Sequence, residues 1–137
     1  MTNHNRPDYK VFISHSSSDA WVAQQIDKGV TNCKALTFLY EDDVQAGDDF
    51  EDTILQHLKS SNELLVLFTP WSLERPYIWL EIGVAWDKGL KIIGITYGLS
   101  VEEINSISKI PNIIKKSNII DINSITKYFA QLKKRVN

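Results

Sequence analysis

The sequence predicts an α/β fold in which a five-stranded parallel sheet, in the flavodoxin-like order 2-1-3-4-5, has helices on both faces. Three observations support this prediction. Five short apolar runs recur along the 137 residues, segments with helical spacing separate them, and the third and fourth runs are apolar at successive positions. Strands that are apolar throughout are typical of parallel sheets, whose two faces are both covered.

The strands are expected where these five runs lie, at residues 11–14, 36–40, 64–69, 92–96 and 119–122. Strand and helix alternate along the whole chain, which predicts a doubly wound sheet. In such a sheet the winding reverses between the first and third strands, and ligands bind there, at the carboxyl ends.

Four main helices are expected between and after the strands. The first covers about residues 19–28, with Ser18 or Asp19 as N-cap, and the second covers residues 50–60. The third begins at Pro76 and stops near Gly89. The last begins at Ser124, and its basic residues 133–135 favour the helix dipole. In the long segment 97–117, Ser100 and Glu103 have the spacing of a capping box, which predicts a short helix.

Composition restricts the class of protein. Hydrophobic residues make up 43% and charged residues 23%, and the formal net charge is -2, so nothing favours binding to nucleic acid or to an anionic membrane. Cys33 is the only cysteine, which excludes a disulfide within the chain. No signal peptide or membrane span is apparent. We expect one cytoplasmic domain over residues 1–137, in which residues 1–8 form a flexible lead.

Glu81 is the most informative residue. It lies in an almost wholly apolar segment, and no cation stands three or four positions away to pair with it on a helix. Carboxylates are rarely buried without a partner. Glu81 therefore either points to water or lines a pocket that requires an acid.

Two loops flank the predicted crevice, and one of them is rich in hydroxyls. His15, Ser16 and Ser17 follow the first strand and precede a helix, where hydroxyls and backbone N–H groups can contact an anion. Plain helix capping also explains the serines. His15 either donates to a ligand or lies at the rim of the sheet. The second loop leads from residue 69 to the helix that carries Glu81.

The acidic segment 40–51 is open to two interpretations, a solvated loop or a mobile loop that closes on a ligand or on a neighbouring subunit. It lacks the spacing of an EF-hand, so no metal site is predicted. The chain also lacks a Walker loop, a dinucleotide-binding GxGxxG and a GxSxG elbow. A phospho-receiver domain is excluded because the third strand ends at Phe68 and Thr69, without an acceptor Asp.

Three motifs follow one another along the chain, at residues 10–19, at residues 38–52, and at residues 63–69 with Ser72 and 76–85. Together they resemble a TIR (Toll/interleukin-1 receptor) domain of the bacterial, NAD-cleaving branch. The first is similar to the first strand and loop of that family, the second to its second strand and BB loop, and the third to its third strand and catalytic helix. Each motif is degenerate alone, but their order and spacing match over nearly the whole chain.

The resemblance implies an enzyme that breaks the bond between nicotinamide and ribose in NAD, which is a substrate and not a cofactor. Glu81 matches the catalytic glutamate and would hold the ribose while positive charge develops on the sugar carbon. Tyr77 stands where relatives often carry Trp and would stack on a planar base. Ser16 and Ser17 replace arginines that some relatives carry. Trp79 is expected in the core.

The resemblance also implies self-association. The BB loop, from Asp42 to Phe50, would complete the site of the next subunit in a head-to-tail assembly, and Gly47 and Phe50 would take part in binding. An immune role in bacteria, such as anti-phage defence, and a sensor or effector partner are implied by resemblance only.

The sequence leaves several alternatives open. The product is ADP-ribose or a cyclic ADP-ribose isomer, or the ADP-ribosyl group goes to another acceptor. A non-catalytic TIR–TIR scaffold is the alternative function. A nucleoside deoxyribosyltransferase-like enzyme shares the sheet and a catalytic glutamate, with nothing beyond the fold to favour it.

Overall fold

A computed structural model describes residues 8–39, 50–106 and 118–137, which contain a five-stranded sheet covered by helices on both faces. All neighbouring strands are parallel, in the order β2-β1-β3-β4-β5. The predicted fold class and strand order are confirmed. The strands are β1 (Lys10–Ser14), β2 (Leu36–Leu39), β3 (Glu63–Phe68), β4 (Lys91–Thr96) and β5 (Ile119–Asp121).

Five helices, numbered within the described residues, connect and follow the strands. A single 3-10 turn leads into α1, into α3 and into α5. The helices are α1 (Ala20–Asn32), α2 (Phe50–Lys59), α3 (Pro76–Asp87), α4 (Val101–Ser106) and α5 (Ile125–Val136).

The central strand β3 shows why the sheet needs helices on both sides. All six of its residues are buried, and successive side chains point to opposite faces. Leu64 and Val66 join a core formed with α2 and α3, whereas Leu65 and Leu67 join a second core formed with α1 and α5. Each such side chain contributes about 1.5–3 kcal/mol when it is fully buried.

Local sequence signals fix several helix ends. Pro76 occupies the first turn of α3, and Gly89, just beyond its end, adopts a φ of 75°, a conformation that glycine tolerates best. At α4, Ser100 N donates to Glu103 Oε1 and Glu103 N donates to Ser100 Oγ, both at 3.0 Å. The predicted capping box is therefore confirmed.

The start of α1 differs from the prediction. Asp19 occupies the N-cap position, but its side chain makes no capping hydrogen bond, because its carboxylate turns into the protein interior. The helix buries Ala23, Ile26 and Val30, and Trp21, which has the spacing of a core residue, is 71% exposed.

The amino end of β3 carries a fully buried acid, Glu63. Arg135 reaches it from the last turn of α5, through Nε at 3.0 Å and Nη2 at 2.9 Å from Oε1. Tyr9 donates its hydroxyl to the same oxygen at 2.8 Å, and Tyr128 donates to Oε2. Arg135 therefore neutralises a buried carboxylate, a role beyond the helix-dipole effect expected from residues 133–135.

Burial and the negative charge of Glu63 raise the pKa of Tyr9 to about 12. Burial, followed by the same charge, also raises the pKa of Tyr128. Both phenols therefore stay protonated and act as donors.

In the described part of the chain, no helix combines the length and the apolar character needed to cross a bilayer. Among the same residues, no three His, Cys, Asp or Glu side chains are grouped closely enough to bind a metal ion.

Candidate functional site

The carboxyl ends of β1 and β3 lie side by side, because the two strands pair in parallel with Ser14 opposite Val66. The chain leaves β1 through His15 and leaves β3 through Thr69. This is the point where the sheet reverses its winding direction, and both polar loops predicted to flank a crevice begin here.

Glu81 reaches this edge from α3. The helix begins at Pro76, and Glu81 lies in its second turn with only 1% of its surface exposed. The hydroxyl of Ser14, itself fully buried, donates a hydrogen bond of 2.5 Å to Glu81 Oε1. The carboxylate is thus directed toward the end of β1 and away from bulk solvent.

His15 and Ser16 are buried directly beside this pair, whereas Ser17 is exposed. His15 Nδ1 lies 2.7 Å from Ser16 O, and Arg75 donates from Nη1 to the backbone carbonyl of His15. The loop after β1 is therefore held by a guanidinium that comes from the residue before α3. That cation was not singled out from the sequence.

Asp19 is a second buried acid at this edge, 3% exposed. Its Oδ2 accepts hydrogen bonds of 2.6 Å from both Ser16 Oγ and Thr69 Oγ1. The Ser16 hydroxyl proton is therefore directed at Asp19, and not at an anion. The bond from Thr69 ties the loop after β1 to the loop after β3.

The loop after β3 is also ordered by its own side chains. Thr69 N donates to Ser72 Oγ at 2.9 Å, and Ser72 N donates to Thr69 Oγ1 at 3.0 Å. Both residues are fully buried. These reciprocal bonds satisfy backbone groups that would be costly to bury unpaired, and they fix the path of the chain into α3.

Tyr77 precedes Glu81 by one helical turn and is half-buried, so the two residues share a face of α3. Trp79 lies on another face. Its Nε1 donates to Leu73 O at 3.2 Å, and its ring centroid is 6.3 Å from that of Phe68. Trp79 packs against the core, as expected from the sequence.

The structure brings together Glu81, His15 and Ser16, with Ser17 and Tyr77 at the periphery. Gly47 lies outside the described residues, as does most of the segment from Asp42 to Phe50. Phe50 begins α2, but its side chain is also outside the described part. The binding roles of Gly47 and Phe50 therefore stay predictions.

Sequence reasoning did not assign a role at this site to Ser14, Thr69, Ser72 or Arg75, and it assigned Asp19 only to helix capping. The available signal was that polar residues follow the apolar runs of β1 and β3 at once. Their partners, however, are as many as 67 residues away in the sequence, so local spacing could not pair them.

Two of the cavities lined by described residues lie away from Glu81. One, of about 460 Å³, is lined by residues of α2 and α3 that include Lys59 and Leu80. The other, of about 450 Å³, is lined by residues that include Ile93 and Lys127. Neither of these two cavities is lined by Glu81.

Comparison with known proteins identifies the family. The family model for the TIR domain matches residues 11–135. Among the curated proteins, none matches the chain.

Solved structures of low sequence identity share the fold. The TIR domain of the Toll-related receptor TRR-2 from Hydra magnipapillata has a TM-score of 0.65 at 18% identity, over 93% of this chain and 96% of that one. A TIR-STING receptor from C. gigas, solved in complex with 2',3'-cGAMP, has a TM-score of 0.67 at 18% identity. The match covers 94% of this chain but 40% of the receptor.

A prokaryotic SEFIR domain is also similar, with a TM-score of 0.56 at 18% identity over 94% of this chain and 92% of that one. Because the family model spans nearly the whole chain and the strand order agrees with it, the chain belongs to the TIR domain family, as its motifs predict.

Proposed function

We propose that the chain cleaves NAD at the bond between nicotinamide and ribose, as a member of the bacterial NAD-cleaving branch of TIR domains. The single observation that carries this proposal is the position of Glu81. Its carboxylate is buried at the carboxyl ends of β1 and β3, where α/β sheets bind ligands, and Ser14 orients it at 2.5 Å.

The chemistry requires one well-placed carboxylate. The bond from ribose C1′ to the pyridine nitrogen breaks, and its electron pair goes to nicotinamide, which changes from a cation to a neutral leaving group. Positive charge then develops on the ribose. A carboxylate in a site shielded from water stabilises that charge strongly. Because the leaving group needs no proton, a second acid to protonate it is not required.

The fate of the ribose cation depends on access of water. Attack by water gives ADP-ribose and releases a proton, whereas attack by another group of the same molecule gives a cyclic isomer and requires that water be excluded. Transfer of the ADP-ribosyl group to a different acceptor follows the same first step. A product analysis by mass spectrometry distinguishes the three outcomes.

The burial of Glu81 sets a condition on this reaction. At 1% exposure, the carboxylate cannot contact ribose until the groups that cover it move. Self-association through the segment from Asp42 to Phe50 of a neighbouring copy would supply that change and complete the site. Specific activity is therefore expected to rise steeply with protein concentration, and a flat profile would contradict this dependence.

The decisive experiment compares wild-type protein with Glu81→Gln at high concentration with NAD. The amide keeps the size of the side chain and can still accept the Ser14 hydrogen bond, so the fold should persist. NAD cleavage is expected to fall on the order of a hundredfold or more. Glu74→Gln, an exposed acid in the turn before α3, is the matched control and should keep full activity.

A non-catalytic TIR–TIR scaffold is the second candidate, and one observation favours it. The Ser14 hydrogen bond explains the buried Glu81 without a substrate. In that case, wild-type protein would not cleave NAD at any concentration, while the chain would still self-associate. If Glu81→Gln cleaves NAD at the wild-type rate, Glu81 has no part in the mechanism.

The immune role and the sensor or effector partner belong to the same proposal and rest on family membership alone. Expression of the wild-type chain and of Glu81→Gln in phage-challenged bacteria tests the first. Protection that depends on Glu81 and coincides with loss of cellular NAD is the expected result.

A further inference from the structure

We infer that Arg75 binds the phosphate attached to the nicotinamide ribose of NAD, so that Arg75 and Glu81 contact neighbouring parts of one nucleotide. This inference rests on the proposed function for the identity of the ligand. It names the residue that would recognise a phosphate at the same site.

The first observation is that Glu81 and Arg75 are held by consecutive residues at the end of β1. Glu81 is held by the side chain of Ser14, and Arg75 donates to the backbone carbonyl of His15. Ser14 and His15 are consecutive residues, and consecutive Cα atoms are about 3.8 Å apart. The carboxylate and the guanidinium are thus anchored one residue apart at the same strand end.

The chemistry of the ligand matches this spacing. In NAD, the ribose that carries nicotinamide bears its hydroxyls on one side and its 5′-phosphate one carbon beyond the ring. A carboxylate that accepts from the hydroxyls and a guanidinium that binds the phosphate are therefore needed within one nucleotide unit. Arginine suits the second task because its planar fork matches phosphate oxygens.

The second observation is the distribution of cations over the described residues. Nine of the eleven described cations lie toward the amino edge of the sheet, at the start of β1 and β4, before β2, or toward the ends of the helices: Lys10, Lys28, Lys34, Lys59, Lys88, Lys91, Lys133, Lys134 and Arg135. Arg75 instead precedes α3, at the carboxyl edge. Lys127 is also near the carboxyl edge, but it follows β5, two strands away from β3 in the sheet.

The third observation concerns two buried hydroxyls at this edge, one of which, Ser16, was expected from the sequence to contact an anion. Ser16 Oγ donates to Asp19 at 2.6 Å, and Thr69 Oγ1 does the same. Their protons are directed to a buried carboxylate, and that carboxylate would repel a phosphate. A cation is therefore needed at this edge to bind an anion, and Arg75 is the described cation anchored beside Ser14 and His15.

The test compares NAD with nicotinamide riboside, which has the same bond to be broken but lacks the phosphate and the rest of the ADP group. Nicotinamide mononucleotide, which differs from the riboside in the phosphate alone, controls for that further difference and should respond as NAD does. Arg75→Gln removes the charge but keeps a donor for the His15 carbonyl. The KM for NAD is expected to rise about tenfold or more with little change in kcat, whereas the kinetics with nicotinamide riboside should stay close to wild type.

Two further variants control for structural effects. Lys88→Gln removes a cation from the opposite end of α3 and should leave the KM for NAD unchanged. Arg75→Lys keeps the charge without the planar fork and should give an intermediate KM. If Arg75→Gln lowers activity on both substrates by the same factor, Arg75 only supports the loop after β1 and the inference is wrong.

A binding measurement separates this inference from the proposed reaction. NAD affinity is measured by calorimetry in Glu81→Gln and in the double variant that also carries Arg75→Gln. A loss of affinity in the double variant supports the inference even if wild-type protein cleaves nothing, in which case the proposed reaction alone fails. Equal affinity in both variants, or no binding to either, overturns the inference.

Discussion

Glu63 and Glu81 are both buried acids, but they occupy opposite ends of the sheet and have different surroundings. Glu63 lies at the amino end of β3, where Arg135 and two tyrosines contact it. Glu81 lies at the carboxyl end of β1, where a serine hydroxyl orients it. At the amino edge, Glu63 forms an ion pair with Arg135. At the carboxyl edge, Glu81 lies where α/β sheets bind ligands.

Burial alone therefore does not identify a functional acid. Only Glu81 stands out in the sequence, because its neighbours along the chain are apolar, yet Glu63 is equally buried. What separates them is the edge of the sheet and the groups that meet each carboxylate. Mutations at the two edges should therefore affect different properties of the protein.

The largest difference is expected from the two glutamine variants. Glu81→Gln should abolish NAD cleavage with little change in melting temperature, because the amide still accepts from Ser14. Glu63→Gln should lower the melting temperature by several degrees, since a loss of about 1 kcal/mol already shifts it by roughly 2–8 °C. Parallel assays of activity per folded protein and of thermal unfolding measure both. If both variants lose stability alike, the proposed division between the two edges fails.

Removal of the cation at the amino edge comes next. Arg135→Met leaves Glu63 buried with only the two phenols as donors in the described structure. Breaking a buried ion pair costs about 3–5 kcal/mol, and the low end of that range applies because the Arg135 side chain is 22% exposed. Urea unfolding should show this loss. Arg135→Lys, which keeps the charge, should recover part of the stability, and full stability of Arg135→Met would contradict the role of the pair.

Ser14→Ala tests whether the Ser14 hydroxyl supports Glu81 at the carboxyl edge. Without the hydroxyl, Glu81 loses a donor that orients it and stabilises its charge, and a hydrogen bond to a charged group contributes about 1.5–3 kcal/mol. The rate of NAD cleavage should fall at least several-fold. Thr96→Val, which removes an equally buried hydroxyl at the end of β4, is the matched control. An equal loss of activity in both variants would remove Ser14 from the site.

The phenols at the amino edge predict a loss of stability in alkali. The pKa of Tyr9 is about 12 in the folded protein, against about 10 in an unfolded chain, and that of Tyr128 is also raised. The folded state therefore holds these protons when the unfolded state has released them. Their stabilising contribution is complete below about pH 10 and declines as the pH rises toward 12.

This decline can be measured by urea unfolding between pH 9 and pH 12, as approximate limits set by the phenol pKa values. Tyr9→Phe cannot ionise and should flatten the curve, with Tyr97→Phe, an exposed tyrosine, as control. An unchanged slope in Tyr9→Phe would show that the Tyr9 phenol does not contribute.

The smallest effect is expected at Tyr77. If its ring stacks on a planar base, Tyr77→Ala should lower turnover several-fold, because aromatic stacking contributes about 0.5–1.5 kcal/mol. Tyr77→Trp should retain most of the activity. Equal losses in the two variants, measured as kcat with NAD, would show that stacking is not the role of this residue.

The fold was predictable because its signals are local. Apolar runs at successive positions located β3 and β4, Pro76 and Gly89 bracketed α3, and Ser100 with Glu103 marked the start of α4. These signals rest on residues within a few positions of one another. The edge expected for a site followed in addition from the usual strand order of doubly wound sheets.

The contacts inside the site were not predictable in the same way. Ser14 meets Glu81 across 67 positions, Thr69 meets Asp19 across 50, and Arg75 meets His15 across 60. A single sequence carries no pattern that relates such distant residues. Asp19 illustrates the difficulty, because its position before a helix predicts a cap, whereas its tertiary partners draw the carboxylate inward.

The contact between Arg135 and Glu63 has a practical consequence for anyone who shortens or joins this protein to another. Arg135 belongs to the final turn of α5, which ends at Val136, and its charge neutralises an acid at the base of the central strand. Truncation before Arg135 would remove that charge and leave the buried carboxylate of Glu63 without its cation, at the desolvation cost of an unpaired buried charge. A tag or a fused domain should therefore be attached beyond Val136.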